Sequence, residues 1–215
     1  MPKSPSKTSE RILEATLDLF NRFGEPNVAP ALIASSLKIS SGNLYYHFAS
    51  KAELINALFE QYEKKVNHLL PATSEVQGVE DAWFLLHTLF EYIWDYRFLY
   101  RDLNDLLSKN RSLEQHAQKL IQHKNVALQK LLQGLRRHSV LQADDSQIQN
   151  IATSMVALMT YWLSYEYVLD PRQALQPEHM EHTVSRGAFH VLSQFSPYLY
   201  NEFKEHFHAL TQAYL

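Results

Sequence analysis

Apolar side chains recur every three or four positions along almost the whole chain, the spacing of helices that each bury one face. Ile12, Leu13, Thr16, Leu17, Phe20 and Phe23 form the first such face, which predicts a helix over Lys7 to Phe23 terminated by Gly24. Pro30 suits the first turn of a second helix, where a missing N–H costs no helical bond. That helix reaches about Leu37, and a turn at Lys38 and Ile39 follows. Ser40 is placed to cap a third helix of about Ser41 to Phe48. Ser50 and Glu53 make a capping box that opens a fourth, long helix. Later faces predict helices over about Val79–Tyr96, Phe98–Leu107, Ser112–His138, Asp144–Leu169, Pro177–Phe195 and Pro197–Tyr214, with Asp144 and Gln147 forming another capping box. No convincing run of alternating β-branched residues interrupts the pattern, so the expected fold is all-α, with about nine to ten helices.

The short helices cluster at the N-terminus, and Pro71 to Gly78 reads as a polar connector. The expected organisation is therefore a three-helix headpiece over residues 1–50, a connecting helix over 51–70 and a helical body over 71–215. Charge follows the same division. Residues 1–51 hold six Lys/Arg against four Asp/Glu, a balance of +2, so the net −3 of the chain leaves −5 on the remainder. A weakly basic headpiece on an acidic body fits a nucleic-acid reader, provided a motif supports it.

Composition removes several classes of function. With 46% hydrophobic and 20% charged residues the chain has enough apolar material for a core. It has no cysteine, which excludes disulfides and thiolate metal sites. Gly24 and Gly42, the nearest pair of glycines, stand eighteen residues apart, so a P-loop, a dinucleotide fingerprint and a G-x-S-x-G elbow are all impossible. His179 and His182 lie three apart beside Glu178 and Glu181, but this matches no zincin spacing, and His206 and His208 face different sides of a helix. No metal, no cofactor and no catalytic residue is expected. Met1 to Ser9 is polar with no apolar stretch behind it, and the apolar run Ile151–Tyr165 is shorter than the roughly 20 residues a membrane span needs. The expectation is a cytoplasmic protein with no membrane contact.

The informative segment is Pro30 to Lys51, PALIASSLKISSGNLYYHFASK. Two short helices joined by three or four residues pack when the crossing point is small and its surroundings apolar. Ala34 is the small residue, and Ile33, Leu37, Ile39, Leu44 and Phe48 are the apolar ones. What remains on the third helix is a face of hydrogen-bonding side chains without acid, suited to a groove lined with phosphates.

The string SSGNLYYHFASKAEL, with RILEATLDLFNRFG upstream and the Ile33–Ala34 pair, resembles the headpiece signature of the TetR family of bacterial repressors across about fifty residues. The resemblance implies that Ser41, Gly42, Asn43 and Tyr45 approach base edges, and that Tyr46, His47 and Lys51 hold phosphates. Asn43 suits an adenine edge, and the tyrosines offer hydroxyl donors and a surface for thymine methyls. The chain departs from the family in two places. Val28 and Ala29 stand where a Thr or Ser usually caps the second helix, leaving Asn27 as a substitute cap. Lys38 replaces the turn glycine, so a left-handed backbone there would carry roughly 1 kcal/mol of strain. Pro30, Lys38, NLYYHF and the later stretch YRFLYRDL, Tyr96 to Leu103, together resemble one branch of the family.

The resemblance further implies a ligand-responsive repressor that binds a palindromic operator in double-stranded DNA as a homodimer. A regulator without an effector, or an enzyme using an aromatic pocket, are the alternatives. A small hydrophobic or aromatic effector is expected among Trp83, His87, Phe90, Trp94, Arg97, Arg101, Tyr161, Trp162 and Tyr165, residues that would serve equally as helical core. Arg97 and Arg101 either clamp an acidic effector or pair with Asp95, Asp102 and Asp105. The helix from Asp144 is apolar on two sides, so one side is expected to pack on a second copy. The expected dimer residues are Val156, Met159, Leu163, Val184, Gly187, Ala188, Val191 and Phe195.

Overall fold

A computed structural model describes residues 7–212 of the chain, and the side chains of residues 7–210. Their α-helices run in the order α1 (Lys7–Phe23), α2 (Pro30–Ser36), α3 (Ser41–His47), α4 (Lys51–Leu69), α5 (Val79–Asp95), α6 (Arg97–Arg101), α7 (Leu103–Lys109), α8 (Arg111–Arg137), α9 (Asp145–Leu169), α10 (Met180–Leu192) and α11 (Asn201–Gln212). Among the described residues there is no strand, only a single bridge between Leu141 and Leu199. The fold is all-α, as the apolar spacing requires. No described helix is long and apolar enough to cross a membrane.

Helix starts follow their capping residues closely. The Ser40 hydroxyl accepts from the Asn43 N–H at 3.1 Å. Asp144 and Gln147 cap each other reciprocally, both bonds at 2.8 Å. Ser50 accepts from the Glu53 N–H at 3.2 Å, while the Glu53 carboxylate reaches one residue beyond the cap to the Ala49 N–H at 2.8 Å. At α2 the uncapped reading holds: Ala29 makes no side-chain cap, and Pro30 at the first helical position removes one orphan donor. Asn27 does not substitute. Its side-chain amide donates to the Phe23 carbonyl at 2.9 Å, closing the C-terminal end of α1 instead.

Several boundaries differ from the sequence expectation. The helix expected over Phe98–Leu107 is two, because the chain bends at Asp102, and this split brings the count of described α-helices to eleven. The helix expected over Pro177–Phe195 begins with a separate 3-10 turn at Pro177–His179, and that expected from Pro197 starts only at Asn201. Tyr214, its expected end, lies outside the described residues. Pro71–Gly78 is not a loose connector over its length. Leu70–Glu75 forms a 3-10 turn that buries Leu70 and Thr73, and α8 passes so close that a Cβ on Gly134 would meet the Val76 carbonyl oxygen at 2.7 Å.

The body is organised around α5, α8, α9 and α10, and its core corrects the expected dimer surface. Val156, Met159, Leu163, Val184, Gly187, Ala188, Val191 and Phe195 are all buried inside this one chain. Gly187 makes the reason plain: a Cβ there would collide with the rings of Phe90 and Trp162, so α10 presses on the chain's own α5 and α9. The second apolar side of α9 is real, but the residues on it are Tyr161, Tyr165, Val168 and Leu169, all exposed.

The turn between α2 and α3 has the expected strain. Lys38 adopts φ 56°, the left-handed region. Its N–H bonds to the Ser35 carbonyl at 3.0 Å and the Ile39 N–H to the Ala34 carbonyl at 3.0 Å, the paired bonds of a Schellman closure. Lys38→Gly, which relieves the Cβ penalty, is expected to raise unfolding stability by about 1 kcal/mol. The change in urea midpoint at constant slope measures this, and an unchanged or lower midpoint would show that no strain is stored there.

Candidate nucleic-acid interface and effector cleft

Helix α3 is positioned by its apolar positions and presents the rest. Leu44 is 1% exposed and packs with Ile33 and Ala34 of α2, while Leu37, Ile39 and Phe48 close the edges of the contact. Ser41, Gly42, Asn43, Tyr45 and Tyr46 are exposed and His47 is partly covered. Tyr46 is 85% exposed, an extreme value for so large a ring. Its ring meets that of His47 edge-on at 5.2 Å. The helix carries no acidic residue, so the whole outward face is neutral or donor-rich.

Lys51 sits differently from the other six. Its ammonium lies 2.8 Å from the Glu25 carboxylate and 2.6 Å from the Glu25 carbonyl oxygen, and 5.7 Å from the centre of the Phe20 ring. The charge is therefore spent within the headpiece, bracing the start of α4 against the loop after α1.

The headpiece is held to the body by a residue that apolar spacing does not single out. The Asn21 amide of α1 donates to the Asp95 carbonyl at 2.7 Å, and its carbonyl oxygen accepts from the Phe98 N–H at 3.1 Å. Both partners are backbone groups at the break between α5 and α6. Phe20 and Phe98 stack obliquely beside them at 5.1 Å. Arg101 lies against the bare backbone of Gly24, which has φ 84°, and a Cβ there would overlap its guanidinium.

Between α4, α6, α8 and α9 lies a narrow cleft whose free space, about 20 Å³, holds little more than one water. Phe59 and Tyr62 of α4, Leu99 and Tyr100 of α6, and Leu120 and Lys124 of α8 form most of its wall. Its polar lining is concentrated in one cluster. Lys124, 2% exposed, donates to the Tyr62 hydroxyl at 3.0 Å and to the Tyr100 hydroxyl at 2.8 Å, and the two hydroxyls bond to each other. Burial pushes the Tyr62 phenol well above its ordinary pKa, helped by Tyr100, so it stays protonated.

None of the nine expected pocket residues lines this cleft. Phe90, Trp94 and Trp162 are core, and the Trp162 indole N–H is satisfied by the Thr183 carbonyl at 2.9 Å. Trp83 and His87 border a separate surface hollow, where burial lowers the imidazole pKa of His87. Tyr161 and Tyr165 are exposed on α9. Arg97 is buried against Trp94, 4.8 Å from its ring, and donates to the Trp94 and Leu175 carbonyls at 3.2 Å, so it clamps no acid and pairs with none of the three aspartates. Arg101 does pair with Asp102, at 3.0 Å. The sequence did carry a signal for this cleft: Leu113, Ala117, Leu120, Lys124, Leu128 and Leu131 run along the buried side of α8, and a lysine in that stripe is out of place.

A helix-turn-helix headpiece joined through a long helix to an all-helical body with an internal cleft defines a class of DNA-binding regulators. Two family models match the chain, one for bacterial regulatory proteins of the tetR family over residues 12–58 and one for a bacterial transcriptional repressor over residues 61–207. The chain belongs to the TetR family of bacterial transcriptional regulators. It is similar to the HTH-type transcriptional regulator TtgR of Pseudomonas putida, 30% identical over 105 residues that cover 47% of this chain and 49% of that protein. The chain thus spans about half the length of the curated relatives it matches. A TetR-family transcriptional regulator from Marinobacter aquaeolei VT8 superposes with a TM-score of 0.87 at 30% identity, covering 97% of this chain and 99% of that one. The complex of SmeT with triclosan shares the fold, with a TM-score of 0.63 at 18% identity over 91% and 93% of the two chains.

Removing the Asn21 side chain strands a part-buried carbonyl and a buried N–H at the α5–α6 break. Asn21→Ala is expected to lower unfolding stability by about 1–3 kcal/mol for each stranded group. Denaturant unfolding monitored by circular dichroism reads this directly. A loss under about 0.5 kcal/mol, the range of ordinary surface substitutions, would mean that the joint does not depend on Asn21.

Proposed function

We propose that this protein is a ligand-responsive transcriptional repressor that acts in the cytoplasm, binding a two-fold operator in double-stranded DNA as a homodimer, with no catalytic role and no cofactor. The observation that carries the proposal is the presentation of α3: Leu44 anchors it inward while Asn43, Tyr45 and Tyr46 stand in solvent with no task inside the fold. A short helix with polar, acid-free residues on its open side matches the dimensions and hydrogen-bonding of a major groove.

The proposed roles divide by chemistry. Ser41, Gly42, Asn43 and Tyr45 read base edges, and Tyr46 and His47 hold phosphates. Lys51 is proposed to act indirectly, by keeping α4 seated on Glu25, since its ammonium is already paired. The headpiece is proposed to comprise residues 1–50 and the dimer function residues 71–215, with the effector function shared between 71–215 and Phe59 and Tyr62 of the connecting helix α4. One short helix makes few contacts, and two held rigidly add their binding energy at a set spacing. The proposed dimer surface is the exposed side of α9, with Tyr161, Tyr165, Val168 and Leu169.

Response to a ligand follows from what walls the cleft. Helix α4 runs out of the headpiece itself, and α6 carries Tyr100 next to the Arg101 that lies on Gly24. A molecule bound beside Tyr62 and Tyr100 touches both elements that set the headpiece angle. It shifts DNA affinity only as far as it favours one angle over the other. That SmeT, of the same fold, is known in complex with triclosan supports a small-molecule site in such a body.

Selection of bound sequences from a random duplex pool is expected to return a palindrome. Asn43→Ala is expected to lose about tenfold on the best site while relaxing preference at one position of each half-site, the size of one bidentate base contact. Tyr46→Phe is expected to weaken all sequences alike. Recovery of no enriched sequence would overturn the regulator reading. For the dimer, Val168→Glu with Tyr165→Glu is expected to yield folded monomers in sedimentation experiments and to abolish operator binding. A double variant that stays dimeric would place the interface elsewhere.

A further inference from the structure

We infer that the effector of the cleft is a small monoanionic acid, with its charge bound by Lys124, Tyr62 and Tyr100 and its apolar body between α4 and α8; this rests on the ligand-responsive reading above. The charge balance of the cleft leads there. Lys124 is 2% exposed, and among the described residues no carboxylate forms an ion pair with it. A buried ammonium without a counter-charge is costly, and proteins rarely keep one unless something completes the pair.

Counting hydrogens sharpens the point. An ammonium brings three donors and two phenols bring one each. Two of the ammonium donors are taken by the phenol oxygens, and one phenol donates to the other. One N–H and one O–H are left with no acceptor among the described residues. The cluster thus offers a positive charge and two donors, all on one cavity wall, and the other polar lining residue, Thr160, has its hydroxyl donating to the Val156 carbonyl at 2.7 Å. A carboxylate supplies what is missing: one negative charge and two acceptor oxygens. A neutral or cationic ligand of the same shape leaves the ammonium unpaired.

The remainder of the wall is apolar. Phe59, Leu99, Leu120 and Ile121 would surround the body of the ligand, and Ile121, 38% exposed, lies at the mouth. The free space in the cleft is about 20 Å³, room for one water, so a ligand enters only as the side chains around it part. The class that matches this lining in chemistry is an aromatic or short aliphatic monocarboxylic acid.

The test uses the full-length protein, three acids, benzoate, cinnamate and octanoate, and their primary amides, which keep the shape and remove the charge. Binding is read by calorimetry and operator release by fluorescence anisotropy. At least one acid is expected to bind tenfold or more tightly than its own amide and to release the operator. Lys124→Met is expected to bring acid and amide within twofold of each other while operator binding persists, and Tyr100→Phe, which keeps the ring and the ammonium, to weaken the acid several-fold and leave the amide unchanged. Absence of acid binding, amides as tight as acids, or an acid preference that survives in Lys124→Met would each overturn the assignment. The two readings fail separately: amides that release the operator as well as acids do remove the charge assignment and leave the repressor standing. Acids that bind through Lys124 without releasing the operator leave the anion site standing and remove the ligand response.

Discussion

At Tyr96 the backbone leaves the helical region, with φ −114° and ψ 35°, and groups freed at that break must find partners away from water. The Asn21 side chain, reaching from α1, serves one carbonyl and one N–H there. This requirement joins the two ends of the protein's task. The helix-turn-helix headpiece can sit in only a narrow range of orientations that keep both bonds, and Phe20 against Phe98 and Lys65 against Asp95 narrow it further. A break in a body helix thereby becomes the socket for the headpiece, and the helix after the break, α6, also walls the cleft.

Most of the fold could be read from spacing and caps because these act locally. The start of α1, the left-handed Lys38, the Ser40 and Asp144 caps and the outward face of α3 all follow from a few adjacent residues. What could not be read was which of two apolar sides faces inward. Helix α9 carries Val156, Met159 and Leu163 on one side and Tyr161, Tyr165 and Val168 on another. Periodicity identifies both sides and ranks neither, since the choice depends on what α5 and α10 present to them. The aromatic residues expected to line the pocket went astray for the same reason: a ring near a polar group reads alike in a core and in a binding site. The cleft between α4 and α8 was marked by a single discordant residue, Lys124, on the apolar stripe of α8.

The cleft cluster and the headpiece turn share a physical character. Each keeps a locally unfavourable feature that a more stable sequence would drop: a buried ammonium among tyrosines, and a lysine in a glycine's backbone conformation. Such features concentrate where a protein works rather than where it merely holds together. The body core shows the opposite pattern, with Phe90, Leu86, Leu89, Met155 and Phe195 all essentially sealed from solvent.

Gly24 and Arg101 carry a consequence for how the family member can vary. The guanidinium occupies the space a side chain at position 24 would need, and it is steadied there by Asp102 and by the Tyr167 ring of α9 at 5.8 Å. A side chain at position 24 would have to displace the guanidinium, and it would also be strained by its own backbone, since φ 84° is a glycine conformation. Glycine at this position is therefore enforced twice, by its backbone and by its neighbour, at the seam between the headpiece and the body.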